Sequence, residues 1–96
     1  MPYKQTDLGG SKMAKRNGYN VTAYDVEGRT ILSEHYTRKA DSRKVAREFL
    51  GYINVKSVDI DDAIYSECGN VIEQYVKIGG RNAIKIIDGV ITNVRF

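Results

Sequence analysis

The chain has 96 residues, enough for one domain and too few for two. Charged residues make up 28% and hydrophobic residues 42%, a globular rather than disordered composition. Net charge is +3, Cys68 is the single cysteine, and no run approaches the ~18 apolar residues of a membrane span. These features exclude an intramolecular disulfide scaffold and fit a reducing, cytoplasmic setting with no membrane partner.

Charge is unevenly distributed: +3 over residues 1–18, −2 over 19–37, +3 over 38–52, −3 over 53–80 and +2 over 81–96. Residues 1–18 hold Gly9, Gly10 and Gly18 and little apolar periodicity, and read as a flexible basic arm. Met13-Ala14-Lys15 resembles an ordinary chain start, which would make residues 1–12 an added leader. Residues 19–96 then form one domain.

Tyr19 to Val26, rich in Tyr, Val and Thr, predicts a strand. Asp25-Val26-Glu27-Gly28 predicts a type I turn closed by a left-handed glycine, and Thr30 to Tyr36 the returning strand. A three-residue loop sets Ala23 against Ile31, Val21 against Ser33 and Tyr19 against His35; a two-residue loop would flip the partner strand's faces. Asp41 or Ser42 is the expected cap of a helix running to about Gly51, which would close it in the left-handed conformation. Val45, Ala46, Phe49 and Leu50 supply its apolar stripe.

Beyond Val55 the pattern is β-strand. Gly69-Asn70 suggests a two-residue turn pairing Cys68 with Val71, Ile64 with Tyr75 and Asp62 with Lys77. Asp59 and Asp61 share one strand face with Asp62 opposite, an arrangement expected on a solvated edge strand rather than in a metal site. Gly79-Gly80-Arg81-Asn82 reads as a connection between strands, without the Lys-Ser/Thr of a phosphate-binding loop. Asp88-Gly89 is the strongest hairpin signal in the chain. Around it Ile84, Ile86 and Ile91 fall on one face and Ile87, Val90 and Val94 on the other. A hairpin apolar on both faces implies a sandwich or small barrel, or an oligomer interface, here a homodimer. The expected fold is α+β, in the order ββαββββ, with antiparallel hairpins and one basic helix packed on the sheet.

His35 and Cys68 are the reactive side chains, but no spacing brings them together as nucleophile and base, so neither an enzyme nor a cofactor is expected. The informative segment is Thr37 to Arg47, with five cations in 11 residues: Arg38, Lys39, Arg43, Lys44 and Arg47. Such clustering suits phosphate contacts, with Lys15 and Arg16 of the arm in support. The seven tyrosines could stack on unpaired bases where exposed.

Gly18-Tyr19-x-Val21-x-x-Tyr24-Asp25-x-x-Gly28-Arg29, followed by Thr37 to Leu50, resembles the hairpin-plus-helix of integrase arm-binding domains. In that family the sheet lies in the DNA major groove. In size and style the chain is also similar to small phage or mobile-element accessory proteins, including anti-CRISPR-like inhibitors of host machinery. Two expectations follow. One is a non-enzymatic module for nucleic acid or a nucleoprotein. The other is a protein-binding inhibitor or adaptor that contacts a host protein through the acidic 59–62 region, a strand edge or the last hairpin.

Overall fold

A computed structural model describes residues 16–64 and 69–96. Its elements are β1 (Arg16–Tyr24), β2 (Thr30–Tyr36), α1 (Lys39–Leu50), β3 (Ser57–Ile64), β4 (Val71–Gly79), β5 (Asn82–Ile87) and β6 (Val90–Arg95). They form one six-stranded antiparallel sheet in the order β2-β1-β3-β4-β5-β6, with α1 across one face. The α+β class and the order ββαββββ agree with the sequence. The sheet stays open, so the sandwich or barrel does not form. No helix among the described residues is long and apolar enough to cross a membrane.

The first turn forms as its residues dictate. Gly28 (φ +82°) donates its N–H to the Asp25 carbonyl at 3.0 Å. Asp25 Oδ1 accepts the N–H groups of Glu27 and Arg29, each at 2.9 Å. The register beyond the turn differs from expectation. Tyr24 faces Thr30, but an irregularity between Ala23 and Tyr24 then sets Ala23 against Leu32, Val21 against Glu34 and Tyr19 against Tyr36. A bulge admits one extra residue and exchanges the faces of every later position on β2. β1 also starts at Arg16, so residues 16–18 belong to the strand and not to an arm.

The helix begins at Lys39, and its N-cap lies three or four residues before the expected Asp41 or Ser42. Arg38 is its N-cap and no side chain caps it. Ser42 is buried inside the first turn, where its hydroxyl donates to the Lys39 carbonyl at 2.7 Å. Gly51 ends the helix in a right-handed conformation (φ −72°), so the left-handed cap does not occur.

β3 corrects two further expectations. It is an interior strand between β1 and β4, so Asp59, Asp61 and Asp62 do not guard an edge. Val58 rather than Ile64 faces Tyr75, and Ser57 faces Val76. Asp61 faces Val71, and the Asp62 N–H donates to the Asn70 carbonyl at 3.0 Å, so the expected pairing about a turn at 69–70 does not form. Cys68 lies outside the described residues. The last hairpin forms as expected, Ile87 facing Val90 across Asp88-Gly89.

Val21, Ala23, Val58, Ile60, Tyr75 and Ala83 face α1, where they enclose Ala46, Phe49, Leu50 and Val55. The helix packs mainly on β1 and β3, with fewer contacts to β2. β5 and β6 extend beyond it. Ala83, Val94 and Phe96 still pack against the core, and toward the Asp88-Gly89 end the strands run past the helix, with Val90 and Ile91 each 64% exposed.

Candidate nucleic-acid interface

Helical spacing sorts the charges of α1 to two flanks. Lys39, Arg43 and Arg47, spaced i, i+4, i+8, line the side toward β4, with Lys44 on the outer crest. Asp41 and Glu48 line the side toward β2, close enough to act on Tyr36. The Tyr36 hydroxyl donates to Glu34, and this bond, with the nearby carboxylates, pushes it up to about 12. Ala40, Arg43, Lys44, Arg47 and Glu48 surround a shallow depression of about 510 Å³, opened by the small side chain of Ala40.

The predicted cations meet different fates. Arg38 is 76% exposed and only loosely paired with Asp41 at 3.6 Å. Lys39 is exposed and lies 6.0 Å from the Tyr19 ring centroid. Lys44 and Arg47 are exposed. Arg43 is not a free surface cation. Its Nε and Nη2 donate to Glu73 Oε2 at 2.8 and 2.6 Å, and Glu73 is 1% exposed. The Tyr75 hydroxyl donates to Glu73 Oε1 at 2.9 Å. Lys15 lies outside the described residues, and Arg16 is the first residue of β1.

Burial pushes the Glu73 carboxyl up, but Arg43, the Tyr75 hydroxyl and the Lys85 charge outweigh it and hold the group below its ordinary 4.5. Tyr75 is raised, first by burial and then by its bond to Glu73. The sequence singled out neither Glu73 nor Lys85. The available signal was strand period: Glu73 shares a face with Tyr75, and Lys85 pairs with Tyr75 on that same face. Lys85 thus extends the positive flank of α1 onto the bare strands.

The opposite face carries a polar inlay. His35, Asn20 and Asp61 align across β2, β1 and β3, and Ser33, Thr22, Asp59 and Gln74 form the next row. His35 Nδ1 lies 2.9 Å from Asn20 Oδ1. Asp59 Oδ1 and Asp61 Oδ1 are buried without a hydrogen-bond partner. Burial raises both carboxyls above their ordinary 3.8, partly offset by Gln74 and Tyr24 at Asp59 and by Asn20 at Asp61. Among the described residues no group of three or more ligating side chains could hold a metal ion.

A raised carboxyl favours the fold while protonated and loses that advantage as pH rises through its folded value. Asp59→Asn and Asp61→Asn are therefore expected to stabilise the protein at pH 7 by about 1 kcal/mol each. The gain should vanish below pH 3.8, where both folded and unfolded carboxyls are protonated. Urea titrations at the two pH values check this.

Comparison of the chain with known protein families, characterised proteins and solved structures returned no significant match.

Proposed function

We propose that this protein is a non-enzymatic module that binds the phosphate backbone of a nucleic acid, free or within a nucleoprotein, through the crest and β4 flank of α1. The observation that carries this reading is the grouping of Arg43, Lys44 and Arg47 around one depression, with Arg38 and Lys39 exposed at the start of the same helix and Glu48 the one carboxylate at the rim. Each cation that neutralises a phosphate releases condensed counterions, so such a surface binds polyanions without reading their sequence.

A duplex suits the surface better than unpaired bases. Tyr19, Tyr36 and Tyr75 pack in or against the core, and Tyr24 lies on the opposite face. Among the described residues Tyr52, just past the end of α1, is the one exposed tyrosine, and the crest from Ala40 to Glu48 carries no aromatic ring on which bases could stack.

Fluorescence anisotropy on labelled single- and double-stranded oligonucleotides over a salt series tests the reading. Arg38→Gln, Lys44→Gln and Arg47→Gln together should lower the slope of log affinity against log salt by roughly 2–3 on duplex DNA. Arg43 is kept intact because the fold uses it. Absence of binding to either form at low salt overturns the proposal. An unchanged slope in the triple variant moves the site away from α1.

A further inference from the structure

β6 is an outer strand, with no described strand beyond it. Its pairing with β5 is regular from Asn82–Arg95 to Ile87–Val90, without a bulge. The Phe96 N–H donates to the Arg81 carbonyl at 2.9 Å, continuing the same register. Hydrogen-bonded and non-bonded pairs alternate along an antiparallel ladder. Val94, Thr92 and Val90 therefore direct their backbone groups to β5, while Arg95, Asn93 and Ile91 direct theirs to the free edge. Natural edges are usually blunted by lysine, proline, bulges or a covering element. β6 has no lysine, proline or bulge, its one charge is Arg95 at its last position, and its Val90 and Ile91 are both 64% exposed. The other outer strand, β2, has the register irregularity opposite Ala23–Tyr24 and carries Glu34.

We propose that a second copy of this chain occupies this edge, the two β6 strands pairing antiparallel about a two-fold axis at Thr92. A two-fold perpendicular to the sheet pairs only residues on the same face. With the axis at Thr92, Val90 meets Val94 of the other copy on the helix side, and Ile91 meets Asn93 on the other. Ile91 and Asn93 are residues whose N–H and C=O groups point outward, so both partners' bonds are satisfied. Arg95, the one charge of β6, falls opposite Gly89 and meets no like charge.

The product is a continuous twelve-stranded sheet with both α1 helices on one side. Their positive flanks, which already face β4, then face each other across the bare strands. With strands about 4.8 Å apart, the helices stand roughly 40 Å from each other before twist. On the proposed function, the dimer is a two-lobed site for one polyanion.

Sedimentation of the full chain without nucleic acid, at tens of micromolar, should give twice the 10.8 kDa of one chain. Asn93→Pro removes an outward donor and spares the bonds to β5, and Ile91→Lys charges the edge; each should return the monomer mass with unchanged circular dichroism. Thr92→Cys, in a Cys68→Ser background, should form a disulfide-linked dimer on mild oxidation, because opposed non-bonded positions have Cα atoms about 4.5 Å apart, within disulfide reach. Val90→Cys should not. A monomer mass for the unmodified chain overturns the proposal. So does a dimer that survives both edge variants, or cross-linking at position 90 in place of 92. Because nucleic acid is absent throughout, failure here is distinct from failure of the binding assay.

Discussion

Replacing Arg43 with methionine should destabilise the protein by about 2–4 kcal/mol, while Lys44→Met or Arg47→Met should change stability by no more than about 0.5 kcal/mol. All three are basic residues on exposed turns of one helix, and they differ in what lies across from them. Arg43 holds two donors on a carboxylate that is 1% exposed, and its removal strands that charge with the Tyr75 hydroxyl as its remaining partner. Removing one partner of a buried pair costs about 3–5 kcal/mol, reduced here because the Arg43 side chain is 45% exposed. The double variant Arg43→Met with Glu73→Leu should recover most of the loss, since apolar groups of similar volume often replace a buried pair without penalty.

The pH dependence follows from the lowered Glu73 carboxyl. Its contribution is present above the unfolded value of 4.5 and is lost as pH falls through the folded value. The difference between the unmodified protein and Arg43→Met should therefore shrink on acidification. Urea midpoints at neutral and acid pH measure it. An equal penalty at both would show that Arg43 acts through packing rather than charge.

Gly18→Ala should cost about 3–5 kcal/mol, at the upper end for a single methyl group. Gly18 has φ +136°, in a region that glycine alone occupies without strain. It sits where the β1–β3 register shifts between Arg16 and Gly18. A Cβ there would lie 2.3 Å from the Tyr36 carbonyl oxygen and 3.0 Å from His35 Nε2 and from Thr37 Cα. The first of these neighbours is backbone, so relief would require moving β2 or the start of the segment leading to α1.

Gly79→Ala is the control. Gly79 has φ +149°, but nothing lies within 4 Å of an added Cβ. Its substitution should cost only the backbone strain, about 1–3 kcal/mol. Total stability of a 96-residue domain is on the order of 5–14 kcal/mol, so Gly18→Ala alone removes a large share of it. Equal effects at the two glycines would mean that β1 and β2 separate freely at that end.

The features legible in the sequence were those set by neighbours in the chain. Asp25 to Gly28 builds its own turn within five residues, the Asp25 carbonyl accepting the Gly28 N–H and the Asp25 carboxylate the N–H groups of Glu27 and Arg29, and Asp88-Gly89 sets the register of the last hairpin. The apolar stripe Val45, Ala46, Phe49, Leu50 places the helix and its buried side by period alone. Alternation likewise assigns Ile84, Ile86 and Ile91 to one face and Ile87, Val90 and Val94 to the other.

Tertiary structure decided what depends on distant segments. β1 lies beside β3, with β2 and α1 between them in the chain, and no local signal specifies that pairing. The pairing makes the acidic stretch an interior strand and buries the Asp59 and Asp61 oxygens. The bulge at Ala23–Tyr24 exchanges the faces of β2, a difference of one residue that turn chemistry left open. Arg43 and Glu73 are 30 residues apart, and only the packing of α1 against the sheet turns one of five similar cations into the partner of a buried carboxylate. The helix start moved for the same reason. Asp41 and Ser42 have the chemistry of caps, but burying Ser42 against the sheet places it inside the first turn and leaves Arg38 at the end.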